Sequence, residues 1–349
     1  MAAIAITAFS LLLYSLTFNL RERVTRSFSI ILVCLAIVYS AESLASVASD
    51  LLDIEFWLKA QWVGIVFLPA GYLHFSDAVL ASTGRPSKGK RRWGVRFGYL
   101  ISAGFLVCLP LGYLVGPLLN SQPLAPYLQP TWLTDVFILY YGLMMVMSWY
   151  NFVRAFRRSA TTSGRRRMMY LLIGSIAPTL GSFPFLLFSS GFAARHAYTF
   201  WFLSTAVNFL VGGLVVVMAY SVAFFGVSLP DRTVKNRLAR WILRVPIVSS
   251  LAFGLTTVVR RIGEDLTGNP YHAIVPITVV GAILIGEYLI TVTIPYLEAW
   301  LFYGDDKKEI LVLRNLEDRL VTRNDLRQFL EMNLSAICDR MQVSGAFVA

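Results

Sequence analysis

Histidine and cysteine are scarce in this chain, three of each among 349 residues. The cysteines (Cys34, Cys108 and Cys338) are scattered, so neither a disulfide framework nor a thiolate metal set is spelled out. His74, His196 and His272 form no ligand pair at metal spacing. Charge is thin as well: Asp, Glu, Lys and Arg make up 15% of the residues, against about 25% in an ordinary soluble domain. No Gly-rich phosphate loop, HExxH or GxSxG pattern occurs, and the YGDD at 303–306 reads as a helix stop. These absences leave no enzyme within the 349 residues and predict neither cofactor nor metal.

What is plentiful is apolar surface. Hydrophobic residues account for 56% of the chain and aromatics for 14%, with a mean hydropathy of +0.63. That composition belongs to an all-α, polytopic transmembrane bundle. The net charge of +11 would suit nucleic acid, but the basic residues fall in short loops between apolar runs. Topology and anionic headgroups account for them there, so the expected partner is membrane lipid and not nucleic acid.

Nine candidate spans emerge, at 2–20, 27–47, 57–81, 97–118, 132–153, 168–190, 199–225, 243–259 and 273–299. Their direction is set by Trp57 to Ala81, an apolar run that leads into Arg85, Lys88, Lys90, Arg91, Arg92 and Arg96. Lys and Arg beside a membrane helix collect on the cytoplasmic side, so this helix runs from outside to inside. Inner loops at 21–26, 82–96, 154–167 and 226–242 then carry most of the basic residues, whereas the outer loops carry Arg195, Arg260 and Arg261 and little else. The N-terminus is predicted outside and the C-terminus inside. The first helix lacks a basic leader and reads as an anchor, not a cleaved signal. The eighth span is short, starts beside Pro246 and has Arg244 near its inner end. Ahead of it, Val234, Leu238, Trp241 and Ile242 mark an amphipathic helix expected on the inner leaflet.

Within the third span Trp57, Gln61, Gly64, Leu68, Gly71 and Phe75 share one face, with glycines placed to admit a neighbouring helix. Pro69 is expected to kink it. The run FWLKAQWVGIVFLPAGYLHFSDAVLASTGRP, residues 56–86, resembles the third helix of the seven-transmembrane input region found at the N-terminus of bacterial sensor histidine kinases. The shared pattern is an aromatic start, a Gln, a Gly three residues on, a mid-helix Pro and an aromatic-rich exit into a basic loop. The resemblance covers about 1–225.

Past Trp300 the chain turns charged, with Leu313, Leu316 and Leu320 at coiled-coil spacing. Thr322 and Asp325 then precede a helix carrying Leu326, Phe329, Leu330, Leu334, Ile337 and Met341 on one side. With the small-residue strand after Gly345, this resembles the first helix and strand of a GAF domain. Four segments are therefore expected: a seven-helix sensory bundle at 1–225, an inner-leaflet segment plus two further spans at 226–300, a homodimer-forming connector at 301–321, and a truncated GAF-like start at 322–349.

The resemblance implies a sensory input module in the bacterial inner membrane, relaying a ligand or the membrane's state to a cytosolic output domain. A histidine kinase's phospho-accepting His is missing from the tail, so any catalytic part would lie beyond residue 349. A secondary transporter or permease-like protein, or a non-catalytic subunit of a membrane complex, are the alternatives.

Ionisable groups inside a membrane are costly and therefore suspect. Glu42 and Gln61 would be the polar anchors of an outward-opening pocket for a small apolar or amphipathic ligand, with Trp57 and Trp62 as walls and Lys59 and Asp135 nearby. The structural alternatives are a Glu42–Lys59 or Glu42–Gln61 contact tying two helices, and for Asp135 a place in a helix's first turn. His74 and Asp77, three residues apart, and Glu287 in the ninth span are candidate switches. Tyr140, Tyr141, Trp149, Tyr150 and Trp201 are expected at the membrane interfaces.

Overall fold

The computed structural model describes residues 1–18, 22–48, 50–84, 89–119, 127–159, 162–181, 196–223, 225, 231–267 and 274–302, together with 327, 330, 331, 334 and 335. They fall into two units, Met1–Ile290 and Thr291–Ala349. Among the described residues six helices are long and apolar enough to cross a membrane.

The chain opens with α1 (Ala2–Phe18) and α2 (Arg23–Ala45). Next comes α3 (Leu51–Ser82), whose first turn is capped by the Asp50 side chain accepting from the Leu52 amide. It packs against α2, α4 (Lys90–Cys108) and α5 (Trp132–Arg158), which makes it the centre of the bundle. The glycine face predicted for α3 meets α2. A Cβ on Gly64 would lie 2.6 Å from the Cys34 carbonyl oxygen and 2.7 Å from Val38, and one on Gly71 would lie 3.3 Å from Ile30. Bare backbone at these points is what lets the helices touch. Phe28 against Phe75, and Tyr72 and Phe75 against Phe152, fill the space toward the inner side with rings 5.5–5.9 Å apart.

The helix runs unbroken through Pro69. Proline withholds its amide from the Ile65 carbonyl one turn back, and at the next residue the Ser102 hydroxyl of α4 donates to the Val66 carbonyl at 2.7 Å, which ties α4 to α3 beside the proline.

Several expected boundaries move. The fourth span does not reach residue 118. It stops at Cys108, ahead of Pro110, and Gly112 turns the chain at φ 74°. The segment after it pairs as an antiparallel hairpin, β1 (Val115–Leu119) with β2 (Tyr127–Pro130), joining Leu118 to Leu128. Thr131 closes this turn by donating to the carbonyls of Tyr113 and Leu114 while capping α5. The helical bundle therefore carries one small sheet at the end predicted outside.

The sixth span is interrupted. Following α6 (Thr162–Gly174) comes a turn at 175–176, then helical backbone over 177–181. Pro178 has no amide to give Gly174, and Trp149 donates to the Ser175 carbonyl at 3.0 Å. Residues 182–190 of that predicted span lie outside the described residues.

The seventh span is α7 (Ala197–Val222). The predicted leaflet helix is not separate from the eighth span: α8 (Asp231–Ile242) passes through a π turn (Leu243–Ile247) into α9 (Val248–Thr267). Its apolar face is docked, not free. Leu238 is buried, and Trp241 donates to the carbonyl and hydroxyl of Ser10 at 3.1 and 2.9 Å while its ring meets Tyr14. The last helix is α10 (Ile274–Phe302).

In the second unit, Arg327, Leu330, Glu331, Leu334 and Ser335 are helical, and Arg327 pairs with Glu331 at 3.0 Å. The connector from 303 to 321, the cap at Thr322–Asp325 and the strand after Gly345 lie outside the described residues.

Candidate functional site

The candidate residues of α3 divide into two halves that differ in how their polar atoms are met. Toward the C-terminal end of α3, both candidates have a partner on a neighbouring helix. His74 sits 3.3 Å from the Tyr99 hydroxyl through Nδ1, with the rings edge-on. Asp77 forms an ion pair with Arg91, and the Arg91 guanidinium also donates to the Asp77 carbonyl at 3.1 Å. Between them Asn151 donates to the Ser76 hydroxyl at 3.1 Å. The i,i+3 spacing of His74 and Asp77 is thus used to hold α4 at two levels. Nothing local in the sequence marks Arg91 or Asn151 as a partner of α3.

The N-terminal half of α3, predicted to be the outer one, is different. Gln61 is only 2% exposed, and its Nε2 donor has no hydrogen-bond partner. Because Gly64 lies against Cys34 and Val38 in an antiparallel pairing, Gln61, about one turn back on the same face, is level with residues 39–41 of α2. Tyr39, also 2% exposed, has an unpartnered hydroxyl that faces Gly181 and lies within electrostatic reach of Glu42 and Tyr141. Glu42 itself is half-buried. Tyr39 was missed in the sequence because a tyrosine inside an apolar span looks like packing until its hydroxyl is found without a partner.

Other candidates are placed elsewhere. Lys59 pairs with Glu55 of its own helix at 2.6 Å, not with Glu42. One helical turn separates these two, so the pair forms without any tertiary contact. Trp57 is half-buried, edge-on to Phe56 at 5.1 Å. Asp135 is exposed in the first turn of α5, next to the Thr131–Thr134 capping box. Glu287 of α10 faces Arg244 in the π turn, Oε2 to Nε 3.6 Å.

Two tyrosines expected at the interface turn inward. Tyr140 donates to the Gly98 carbonyl at 2.9 Å and shares a 3.0 Å contact with Ser102, while Tyr141 donates to the Pro178 carbonyl at 2.9 Å. Tyr150 stays exposed with Arg154 over its ring. No group of three or more His, Cys, Asp or Glu able to hold a metal occurs among the described residues.

What this arrangement offers is recognition chemistry: hydrogen-bonding groups buried among apolar helices. No curated protein and no solved structure matches the chain. Residues 1–219 match the family described as the N-terminal 7TM region of histidine kinase. The chain belongs to that family, and with its membrane-length helices it is a multi-pass protein of the bacterial inner membrane and a signal-transduction input module.

Proposed function

We propose that the outer half of the α2–α3 seam is the receptive zone of this sensor. Gln61 and Glu42 are its polar anchors, Tyr39 joins them, Trp57 is a wall, and Lys59 and Asp135 stand at its rim. The observation that carries this is the Gln61 amide, buried with an unmet donor. Leaving a buried donor unpaired costs about 1–3 kcal/mol, and lipid offers no water to relieve it. A site kept incomplete in this way is suited to a small amphipathic molecule that brings an acceptor oxygen on an apolar body.

Occupancy would tighten α3 against α2, and the paired inner half, with His74 and Asp77, would carry the change to α4. Nine crossings, N-terminus outside and C-terminus inside, would deliver α10 to a connector at 301–321 that pairs with a second copy. Beyond it a GAF-like start at 322–349 would pass the change to a cytosolic output domain.

Gln61→Leu in the full-length protein tests the receptive zone. The variant is expected to insert normally and to lose its stimulus-dependent change in autophosphorylation; an unaltered response contradicts the assignment. Topology is tested with a membrane-impermeant maleimide on Cys338. Labelling is expected only after the membrane is opened, and labelling of intact cells contradicts the orientation.

A further inference from the structure

The helix of residues 231–267 changes character in the five residues Leu243–Ile247, where it takes a π turn around Pro246. Proline withholds an amide from the Ile242 carbonyl, and the wider turn accommodates the loss. One extra residue in a turn rotates the downstream helix by about 100° relative to an uninterrupted α-helix. Beside that turn, at the start of α9, α10 makes close contact. A Cβ on Gly286 would sit 3.1 Å from Val248, and the neighbouring Glu287 meets Arg244 from within the π turn at 3.6 Å. On α10 the buried positions Ala282, Gly286 and Ile290 repeat every four residues, forming a narrow stripe of mostly small side chains. Away from it both helices are open, with Leu251 and Val258 on α9 and Ile277 and Leu284 on α10 all exposed.

A seam this narrow sets no unique register by side-chain interlocking, because alanine and glycine leave few knobs to fill holes. The charged pair supplies the specificity that the stripe lacks. Both side chains of the pair are half-exposed on the helix surface, and wherever that surface meets lipid, separation leaves each charge facing hydrocarbon. We infer that Arg244 and Glu287 form a latch fixing the axial and rotational setting of α10 against the π turn, and that releasing it lets α10 shift along the Gly286–Val248 seam. The inference rests on the sensory-module reading only for its purpose; the latch itself is a property of the helix pair. A small-residue seam is suited to a sliding or turning step between packed helices.

The test uses the full chain in lipid nanodiscs, with native cysteines replaced and spin labels at Leu251→Cys and Leu284→Cys, two exposed sites. The wild-type pair is expected to give one narrow distance distribution. Glu287→Gln and, independently, Arg244→Gln are expected to broaden it or add a second distance, shifting the ratio of settings by up to about fivefold. The exchange Arg244→Glu with Glu287→Arg is expected to restore the narrow distribution. Unchanged distributions in both single variants, or an exchange variant that stays as broad as the singles, would overturn the latch. Because the distances need neither stimulus nor output domain, this result stands apart from the Gln61→Leu response that tests the receptive zone.

Discussion

Helix α3 and the pair made by α9 and α10 are all apolar and long enough to span a bilayer, yet they are used in opposite ways. In the most apolar stretch of α3, 83% of the residues are buried; in Arg237–Gly263 and Ile274–Ile294 the share is 17%. The first lies inside the family-matched region, the second wholly beyond residue 219. Burial on α3 comes with close backbone contact at Gly64 and with side-chain links to α4 and α5 through His74, Ser76 and Asp77. In this later region Trp241 of α8 is attached to Ser10 and Glu287 of α10 to Arg244 of the π turn, and both α9 and α10 carry many exposed apolar side chains. In lipid such surface costs nothing, since acyl chains are as apolar as leucine. Cohesion therefore has to come from packing and polar contacts, and these are concentrated on α3.

Substitutions at matched positions would break or sharpen this contrast, each read as thermal stability in nanodiscs. The largest effect is expected from Gly64→Leu, which would drive a side chain into the Cys34 carbonyl and cost about 3 kcal/mol. Asp77→Ala should cost about 2–3 kcal/mol by leaving Arg91 without its carboxylate inside the bundle. Ser102→Ala removes the donor to the Val66 carbonyl and the contact with Tyr140, for about 1–2 kcal/mol. On α10, Gly281→Leu meets open space and Leu284→Ala loses an exposed side chain. Both should stay within about 0.5 kcal/mol of wild type. Losses of similar size on α3 and α10 would erase the distinction.

Much of α3 was legible in the sequence. Its existence as one long apolar helix and the shared face of Gln61, Gly64 and Gly71 come from hydropathy and helical periodicity. The illegible part depends on contacts between segments distant in sequence. Lys59 looked able to reach Glu42 on depth alone, but Glu55 is one turn away and always within reach. Glu287 had no partner in its own helix, and its position gave no pointer to Arg244, 43 positions earlier. Tyr140 and Tyr141 have amphipathic rings that suit an interface or a buried carbonyl equally well, and only the neighbours decide which. The hairpin after Cys108 escaped because hydropathy continues past Pro110 while the backbone cannot.

The central claim is that the Gln61 amide is left unmet for a visitor and is not part of the bundle's own bonding. Thermal unfolding of ligand-free Gln61→Leu in lipid nanodiscs measures this directly. Removing an unpaired buried donor should leave the protein as stable as wild type or raise its stability by about 1 kcal/mol. A fall of about 2 kcal/mol or more would mean that Gln61 already holds the helices together, and that contradicts the account.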